Sequence, residues 1–235
     1  MTGCVSRALM DADESSRLRL RSRPGTGTDR VAPGTHSLHL RAERDALLYV
    51  PGSARLDGPV PLMVYLHGAT GSEEQGIRRL GPLADELGFV VLSPASEAGT
   101  WDAIRNGYGP DVKTIDQALA RTFAICRVDA KRIGLSGFSD GASYALGLGL
   151  ANGDLFGSVA AYSPGFIPPG SMRSGKPRIF VSHGREDTIL PIDTCSRRLV
   201  PELTKAGYEV TFREFEGPHT VPKEIAEESI RWFLG

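Results

Sequence analysis

The sequence has little cysteine and almost no net charge. Only three of its 235 residues are cysteines, namely Cys4, Cys126 and Cys195, and they are far apart. This odd, scattered set predicts neither a disulfide framework nor a zinc site, both of which need paired cysteines. The formal net charge is −1 at pH 7. Such a charge provides no strong attraction to nucleic acid or to an anionic membrane surface, so we predict neither as a partner.

Long apolar runs are also missing. No run approaches the roughly 18 apolar residues that a helix needs to span a bilayer. Residues 1–30 carry scattered charges and a Pro/Gly/Thr stretch instead of the apolar core of a signal peptide. We therefore predict a cytoplasmic location, a flexible N-terminal segment over residues 1–15 and a single catalytic domain over residues 16–235.

Short apolar runs alternate with helix-like segments from about residue 60 onward. The run at 61–66 is continuously apolar, which is typical of a parallel strand buried on both faces. We expect 18–21 and 47–50 to be antiparallel strands at one edge. The pattern predicts an α/β fold, with a mostly parallel, twisted sheet of about eight strands and helices on both faces. The other predicted strands are 89–92, 133–135, 158–162, 178–181 and 210–215, and the predicted helices are 77–87, 111–124, 142–151, 193–206 and 222–234.

A serine flanked by glycines follows one of these strands. Residues 137–141 read Gly-Phe-Ser-Asp-Gly and lie between the strand at 133–135 and an alanine-rich helix. On such a tight strand-to-helix turn the hydroxyl of Ser139 is lifted clear of the backbone, and larger side chains in place of the glycines would collide with the neighbouring strand and helix. The motif predicts a nucleophile beside N–H groups that favour negative charge.

A serine hydroxyl needs a base to take its proton. The candidates are His36, His39, His67, His183 and His219. The first two fall in an Arg-rich edge segment, and the next two end apolar runs. His219 lies in a turn between the last predicted strand and the last helix, from which a loop can reach back over the serine. We therefore predict His219 as the base, although a loop histidine taken alone is more often a surface residue.

The histidine needs an acid that fixes its tautomer. Asp187 is our prediction, because it lies in the loop after the strand at 178–181. Glu186 and Asp193 are the alternatives, and an isolated loop aspartate is often only a turn or capping residue. Three successive strand ends then offer Ser, Asp and His, which is the chain order of α/β-hydrolase triads.

The segment after the first long strand, residues 66–72, is the expected source of a second oxyanion donor. We predict the backbone N–H of Ala69 as that donor and the N–H of Asp140 as its partner. The connection at 163–177 is too short for a large cap domain. A residue of these types is more often ordinary packing, but the candidate pocket walls are Trp101, Phe138, Phe166, Ile189 and Leu190.

From about residue 40 onward, the chain resembles the α/β-hydrolase superfamily, and within it bacterial phospholipase/carboxylesterases and polyhydroxybutyrate-depolymerase-like esterases. The resemblance implies a triad of Ser139, His219 and Asp187, and oxyanion N–H groups on Ala69 and Asp140. Many relatives have Gln, Ala or Met in place of Asp140, and an inward-pointing carboxylate there would disfavour anionic acyl groups. Extracellular polyester depolymerases usually carry a secretion signal, so its absence favours a small ester inside the cell. The motifs are residues 66–71, 137–141, 183–187 with Pro191, and 217–219.

These observations predict a serine carboxylesterase that hydrolyses short-acyl esters through an acyl-enzyme, with a small-molecule ester as its partner and no metal or organic cofactor. Thioesterase, lysophospholipase, feruloyl-type esterase and small peptidase activities on the same triad stay open. So does a non-catalytic binding module with a hydrolase fold. The oligomeric state is also open, including a homodimer through an edge strand or helix.

Overall fold

The computed structural model describes residues 18–27, 31–53, 58–105, 107–169 and 173–235. The predicted flexible segment at 1–15 and Cys4 lie outside the described residues. Two of the three cysteines, Cys126 and Cys195, are described; both are buried, and neither forms a disulfide.

Within the described residues, eight strands form one sheet in the order β1-β2-β4-β3-β5-β6-β7-β8. β2 pairs antiparallel with β1 and β4, and all other neighbours are parallel. The predicted fold class, a mostly parallel sheet of the α/β-hydrolase type, is confirmed. The strands are β1 (Gly34–Ser37), β2 (Ala46–Val50), β3 (Val60–Leu66), β4 (Val90–Pro94), β5 (Val128–Phe138), β6 (Ser158–Tyr162), β7 (Arg178–Gly184) and β8 (Val210–Phe215).

Five α-helices of the described chain cover both faces of this sheet. They are α1 (Glu74–Leu87), α2 (Pro110–Ile125), α3 (Asp140–Ala151), α4 (Ser196–Lys205) and α5 (Lys223–Leu234), and a short 3-10 helix spans Asp102–Ile104. α1 and α5 pack on one face, and α2, α3 and α4 pack on the other. Successive residues of β3 alternate between the two apolar clusters, because a central strand is buried on both sides.

The predicted edge strand at 18–21 is wrong. Leu18 and Leu20 are buried, as their alternation suggests, but their backbone bonds to a side chain at the end of α3 and not to a neighbouring strand. Asn152 donates to the Leu18 carbonyl at 2.9 Å and accepts from the Leu20 N–H at 2.9 Å. The edge strand is instead β1, whose sequence Gly-Thr-His-Ser has no strand pattern. An apolar alternation therefore identified burial here without identifying a strand.

The described connection between β6 and β7 contains no helix or strand, so it holds no large cap over the sheet edge. No helix of the described residues is long and apolar enough to cross a membrane. The cytoplasmic location stays a prediction.

Candidate active site

Ser139 occupies a strained turn between β5 and α3. Its backbone lies in the left-handed region, with φ of 57° and ψ of −119°. A Cβ at Gly137 would collide with the Gly141 carbonyl, and one at Gly141 would collide with the Leu66 carbonyl. Because only glycine fits at both positions, the chain can turn sharply enough to place the Ser139 side chain at the carboxyl end of the sheet.

The structure brings Ser139, His219 and Asp187 together. The Nε2 atom of His219 lies 2.9 Å from the Ser139 Oγ, and its Nδ1 lies 2.5 Å from the Asp187 Oδ2. His219 sits in the loop between β8 and α5, and the Phe138 ring packs against its imidazole with centroids 4.7 Å apart. With the proton on Nδ1, the imidazole donates to the carboxylate and Nε2 accepts from the serine hydroxyl. This is the arrangement in which the serine proton can pass to the ring.

Asp187 is fixed as an ionised carboxylate. Its Oδ1 accepts from the N–H groups of Ile189 and Leu190 at 2.9 and 2.8 Å. Burial acts to raise the pKa of Asp187, but the hydrogen bonds from Leu190, His219 and Ile189 outweigh it and hold the pKa below the ordinary value. The alternative acids make no such contact: Glu186 is exposed, and Asp193 forms a surface ion pair with Arg197 at 2.7 Å.

His183 is a second buried histidine at this carboxylate, and the sequence reasoning considered it only as a candidate base. Its Nε2 lies 2.7 Å from the Leu190 carbonyl and 3.1 Å from the Asp187 Oδ2, and its Nδ1 lies 2.7 Å from the Ser196 Oγ. The ring is therefore protonated on Nε2 and accepts from the serine at Nδ1. Burial lowers the pKa of His183, which favours this neutral form. The available signal was a histidine four residues before the predicted acid.

The loop after β3, residues 67–72, is called the oxyanion loop below. Gly68 in this loop lies directly against Ser139, where a Cβ would be 3.4 Å from the Ser139 Cβ. Among the described hydrogen bonds, none uses the Ala69 N–H. The Asp140 N–H is the first of α3 and has no acceptor within the helix. Both predicted oxyanion donors are thus on elements that flank Ser139.

The side chain of Asp140 is held by Thr100, whose Oγ1 donates to its Oδ2 at 2.6 Å. His67 at the start of the oxyanion loop is fully buried, and burial lowers its pKa to about 4. Its ring is neutral: Nδ1–H donates to the Gly68 carbonyl at 2.7 Å, and Nε2 accepts from the Ser96 N–H at 3.0 Å. The buried side chain of His67 therefore supports the oxyanion loop.

The sequence profile of the phospholipase/carboxylesterase family matches residues 96–233. The chain belongs to this family. The prediction of a carboxylic ester hydrolase is confirmed at the level of the family. The substrate and the roles of the individual residues stay predictions.

Two curated relatives of this family member are 30% identical to it over 156 residues. A bifunctional acetylxylan esterase/xylanase from Neocallimastix patriciarum matches 63% of this chain and 22% of its own length. NocK from Nocardia uniformis subsp. tsuyamanensis matches 62% of this chain and 45% of its own length. The matches thus span less than half of either relative.

Solved structures support the fold. Esterase PE8 superposes with a TM-score of 0.65 at 21% identity and covers 80% of this chain and 96% of its own. The S-formylglutathione hydrolase FrmB from Staphylococcus aureus has a TM-score of 0.69 at 17% identity, with coverages of 87% and 99%. At these identities the likeness concerns the fold alone.

The predicted pocket walls of this carboxylesterase-family chain lie in different places. Phe138 packs on His219, and Leu190 lies beside Asp187. Phe166 and Ile189 are 40% and 68% exposed on the loops after β6 and β7, and they are the exposed large hydrophobic side chains of the described residues.

Trp101 is fully buried, and it lines a cavity together with Thr100, Tyr108 and Asp111. Its role as a wall of the substrate pocket stays a prediction. Its Nε1–H donates to the His67 carbonyl at 2.8 Å, which makes it a support of the oxyanion loop. Within the described ranges, no group of three or more His, Cys, Asp or Glu side chains could hold a metal ion. The predicted absence of a cofactor stays a prediction.

Proposed function

We propose that the chain is a serine carboxylesterase of short-acyl esters. Ser139 is the nucleophile, His219 the general base and acid, and Asp187 the orienting acid. The observation that carries this proposal is the continuous pair of hydrogen bonds from Asp187 through His219 to Ser139, at 2.5 and 2.9 Å. Ser139 lies on the strand-to-helix turn that carries the nucleophile in this fold. The chain also belongs to the family of phospholipases and carboxylesterases.

Acylation begins when the Ser139 Oγ attacks the ester carbonyl carbon and its proton moves to the Nε2 of His219. The carbonyl π pair moves to oxygen, and the N–H groups of Ala69 and Asp140 stabilise the resulting oxyanion. The C–O bond to the alcohol then breaks, and the imidazolium gives its proton to the leaving alkoxide. Asp187 stays ionised throughout and stabilises the imidazolium, in keeping with its lowered pKa.

Deacylation repeats these steps with water. His219 takes a proton from water as its oxygen attacks the acyl-enzyme, and the second oxyanion rests on the same two N–H groups. Its collapse breaks the bond to the Ser139 Oγ, which recovers its proton from the imidazolium. The products are the carboxylic acid, the alcohol and the free hydroxyl, so every step uses groups of this chain and water alone.

The packing around the serine favours a small acyl group. The Ser143 Oγ, one turn into α3, accepts from the Gly165 N–H at 3.0 Å and so ties the loop after β6 to the nucleophile helix. A Cβ at Gly165 would lie 3.3 Å from the Leu190 side chain, so the loops after β6 and β7 close against each other. The relative described as an acetylxylan esterase is consistent with an acetyl group as the acyl part.

A thioester could follow the same steps, since only the leaving group differs. The intact chain of hydrogen bonds argues against the binding-module alternative, because a silent fold has no need to aim a histidine at a serine. The proposed partner is a small-molecule ester, and we propose neither nucleic acid nor a membrane as a partner. A homodimer remains open.

The test is hydrolysis of p-nitrophenyl esters from acetate to dodecanoate by the wild-type chain, Ser139→Ala and Ser174→Ala. The hydroxyl of Ser174 donates to Asp154 at 3.4 Å, away from the candidate site, so Ser174 serves as the matched control. We expect the highest kcat/KM on acetate or butyrate, loss of about 10⁴-fold or more in Ser139→Ala, and little change in Ser174→Ala. A fluorophosphonate probe should label the wild type and the control alone. Retained activity in Ser139→Ala would refute the triad, and a preference for long chains would refute the short-acyl assignment.

A further inference from the structure

The turn between β1 and β2 holds an arginine in an unfavourable backbone conformation. Arg44 has φ of 50°, a left-handed value that non-glycine residues rarely adopt. Asp45 stabilises the turn by accepting from the N–H groups of His39 and Leu40, both at 2.8 Å. Such strain persists only where the surrounding structure enforces it, and it is concentrated at functional sites.

The conformation sends the Arg44 side chain between two loops of the active-site edge. Its Nε donates to the Ser96 carbonyl at 2.7 Å, and its Nη2 donates to the Ser96 Oγ at 3.1 Å and to the Gly71 carbonyl at 3.0 Å. The same Nη2 lies 3.4 Å from the Nε2 of His67. In the described chain, no carboxylate lies within ion-pair distance of this guanidinium. Its acceptors are neutral oxygens of two loops, so it joins those loops and does not serve a surface ion pair.

One of the two loops is the oxyanion loop, which is anchored on both sides of Ala69. On the near side, His67 binds the Gly68 carbonyl. On the far side, the Thr70 N–H donates to the Gly99 carbonyl at 2.6 Å, and Arg44 holds the Gly71 carbonyl. The direction of the Ala69 N–H is set by the peptide planes between these anchors. Arg44 is the one charged donor among them, and charge-assisted hydrogen bonds are the stronger kind.

We propose that Arg44 is a positioning residue that holds the oxyanion loop so that the Ala69 N–H points to the developing oxyanion. This inference rests on the proposed serine hydrolase function. It concerns a residue outside the matched family segment 96–233. Arg44 does not touch the substrate; it acts through the loop.

The test compares Arg44→Met, Arg44→Lys and Arg41→Met with the wild type. Arg41 is a matched control in the same turn: it donates to the Ala95 carbonyl at 2.7 Å and pairs with Glu97 at 3.6 Å, away from the oxyanion loop. Each variant is assayed for kcat and KM on p-nitrophenyl acetate, for its inactivation rate with a fluorophosphonate, and for its melting temperature. The fluorophosphonate also forms a tetrahedral centre with an oxygen in the hole, so it reads the same donors without turnover.

We expect kcat and the inactivation rate of Arg44→Met to fall about 10- to 100-fold, because misplacing a single oxyanion donor has effects of this order. KM should change less than about threefold, since a ground-state ester depends little on the hole. Arg44→Lys keeps the charge with fewer donors, so its rates should lie between those of the methionine variant and the wild type. Arg41→Met should stay within about twofold of the wild type.

Equal losses in the Arg44 and Arg41 variants would overturn the proposal, as would a loss confined to KM. If Arg44→Met fails to fold, the lysine variant decides: wild-type rates in a folded Arg44→Lys would overturn it. A wild type that is inert to esters but reacts with the fluorophosphonate would reject the esterase assignment and still test Arg44. A wild type inert to both would refute both proposals.

Discussion

We expect replacement of His183 by leucine to slow ester hydrolysis about tenfold without weakening substrate binding. The Nε2–H of His183 points mainly to the Leu190 carbonyl, and the same nitrogen lies 3.1 Å from the Asp187 Oδ2, the oxygen that accepts from His219. Leucine matches the volume of imidazole but has no donor. The carboxylate then keeps its two backbone donors on Oδ1 and loses one of its two side-chain donors on Oδ2, so it can turn away from His219.

The expected loss of kcat follows from the two acceptors that share the Nε2–H of His183. The Nε2 of His183 lies 2.7 Å from the Leu190 carbonyl and 3.1 Å from Asp187, so the carboxylate receives the longer branch. A hydrogen bond to a charged group contributes about 1.5–3 kcal/mol, and the longer branch takes the lower end of that range. A loss of about 1.4 kcal/mol in the transition state is tenfold in rate. The Leu190 carbonyl and the Ser196 hydroxyl also lose their partner, but that loss reduces folding stability and not kcat.

The assay separates these two effects. Glutamine can place an amide N–H near the position of the imidazole Nε2, so His183→Gln should recover most of kcat, whereas His183→Leu should not. Ser182→Ala, a buried residue of the same strand whose side chain takes the opposite face, controls for disturbance of β7. We would measure kcat, KM and melting temperature for all three. The reasoning is refuted if His183→Leu retains wild-type kcat, or if the leucine and glutamine variants are equally slow at equal stability.

Three further results are expected. Burial raises the pKa of Asp111 to about 6, so the native state binds this proton more tightly than the unfolded chain does. The free energy of unfolding should therefore fall by up to about 3 kcal/mol as the pH rises from about 4 to about 6. Denaturant titrations should show that Asp111→Asn flattens this pH dependence. Gly141→Ala should abolish soluble folded protein, because its Cβ would meet the Leu66 carbonyl; a folded, active variant seen by circular dichroism would contradict this. Trp101→Phe removes the hydrogen bond to the His67 carbonyl, and we expect a melting point lower by several degrees and a several-fold lower kcat at unchanged KM; a wild-type kcat would speak against a supporting role.

The nucleophile turn could be predicted because its requirements are local. Glycines at 137 and 141 and an apolar run on each side are visible in the sequence, and sterics leave that segment few conformations. Asp187 and His219 could be paired because they follow β7 and β8, which are neighbours in a parallel sheet whose strand ends meet at one edge. Their roles in catalysis stay predictions.

The supporting residues could not be predicted, because their partners are set by the packing of distant elements. His183 takes its tautomer from Ser196 on α4, and Arg44 reaches Gly71 across two loops. Long side chains of this kind leave no periodic signal. The same limit explains the error at 18–21, where Asn152, the residue after α3, supplies hydrogen bonds that a neighbouring strand would otherwise give.

We propose that Arg44 and His183 support different parts of the site, and this leads to a last prediction. Arg44 contacts Ser96, Gly71 and His67, whereas His183 contacts Ser196, Leu190 and Asp187, so the two sets share no residue. In the proposed mechanism the first set governs the hydrogen bond to the oxyanion, and the second governs the proton transfer through His219. Changes at sites with no common partner usually add in free energy.

The kcat losses of Arg44→Met and His183→Leu should therefore multiply in the double variant, with a coupling below about 0.5 kcal/mol. The alternative is that either change lets Ser139 itself shift. Ser139 takes part in both the proton transfer and the formation of the oxyanion. The second change would then reduce kcat little further, as happens among residues that act as one unit. A double-mutant cycle on kcat with p-nitrophenyl acetate distinguishes the two. If the double variant is no slower than the slower single variant, Arg44 and His183 both act by fixing the position of Ser139, and not through separate parts of the site.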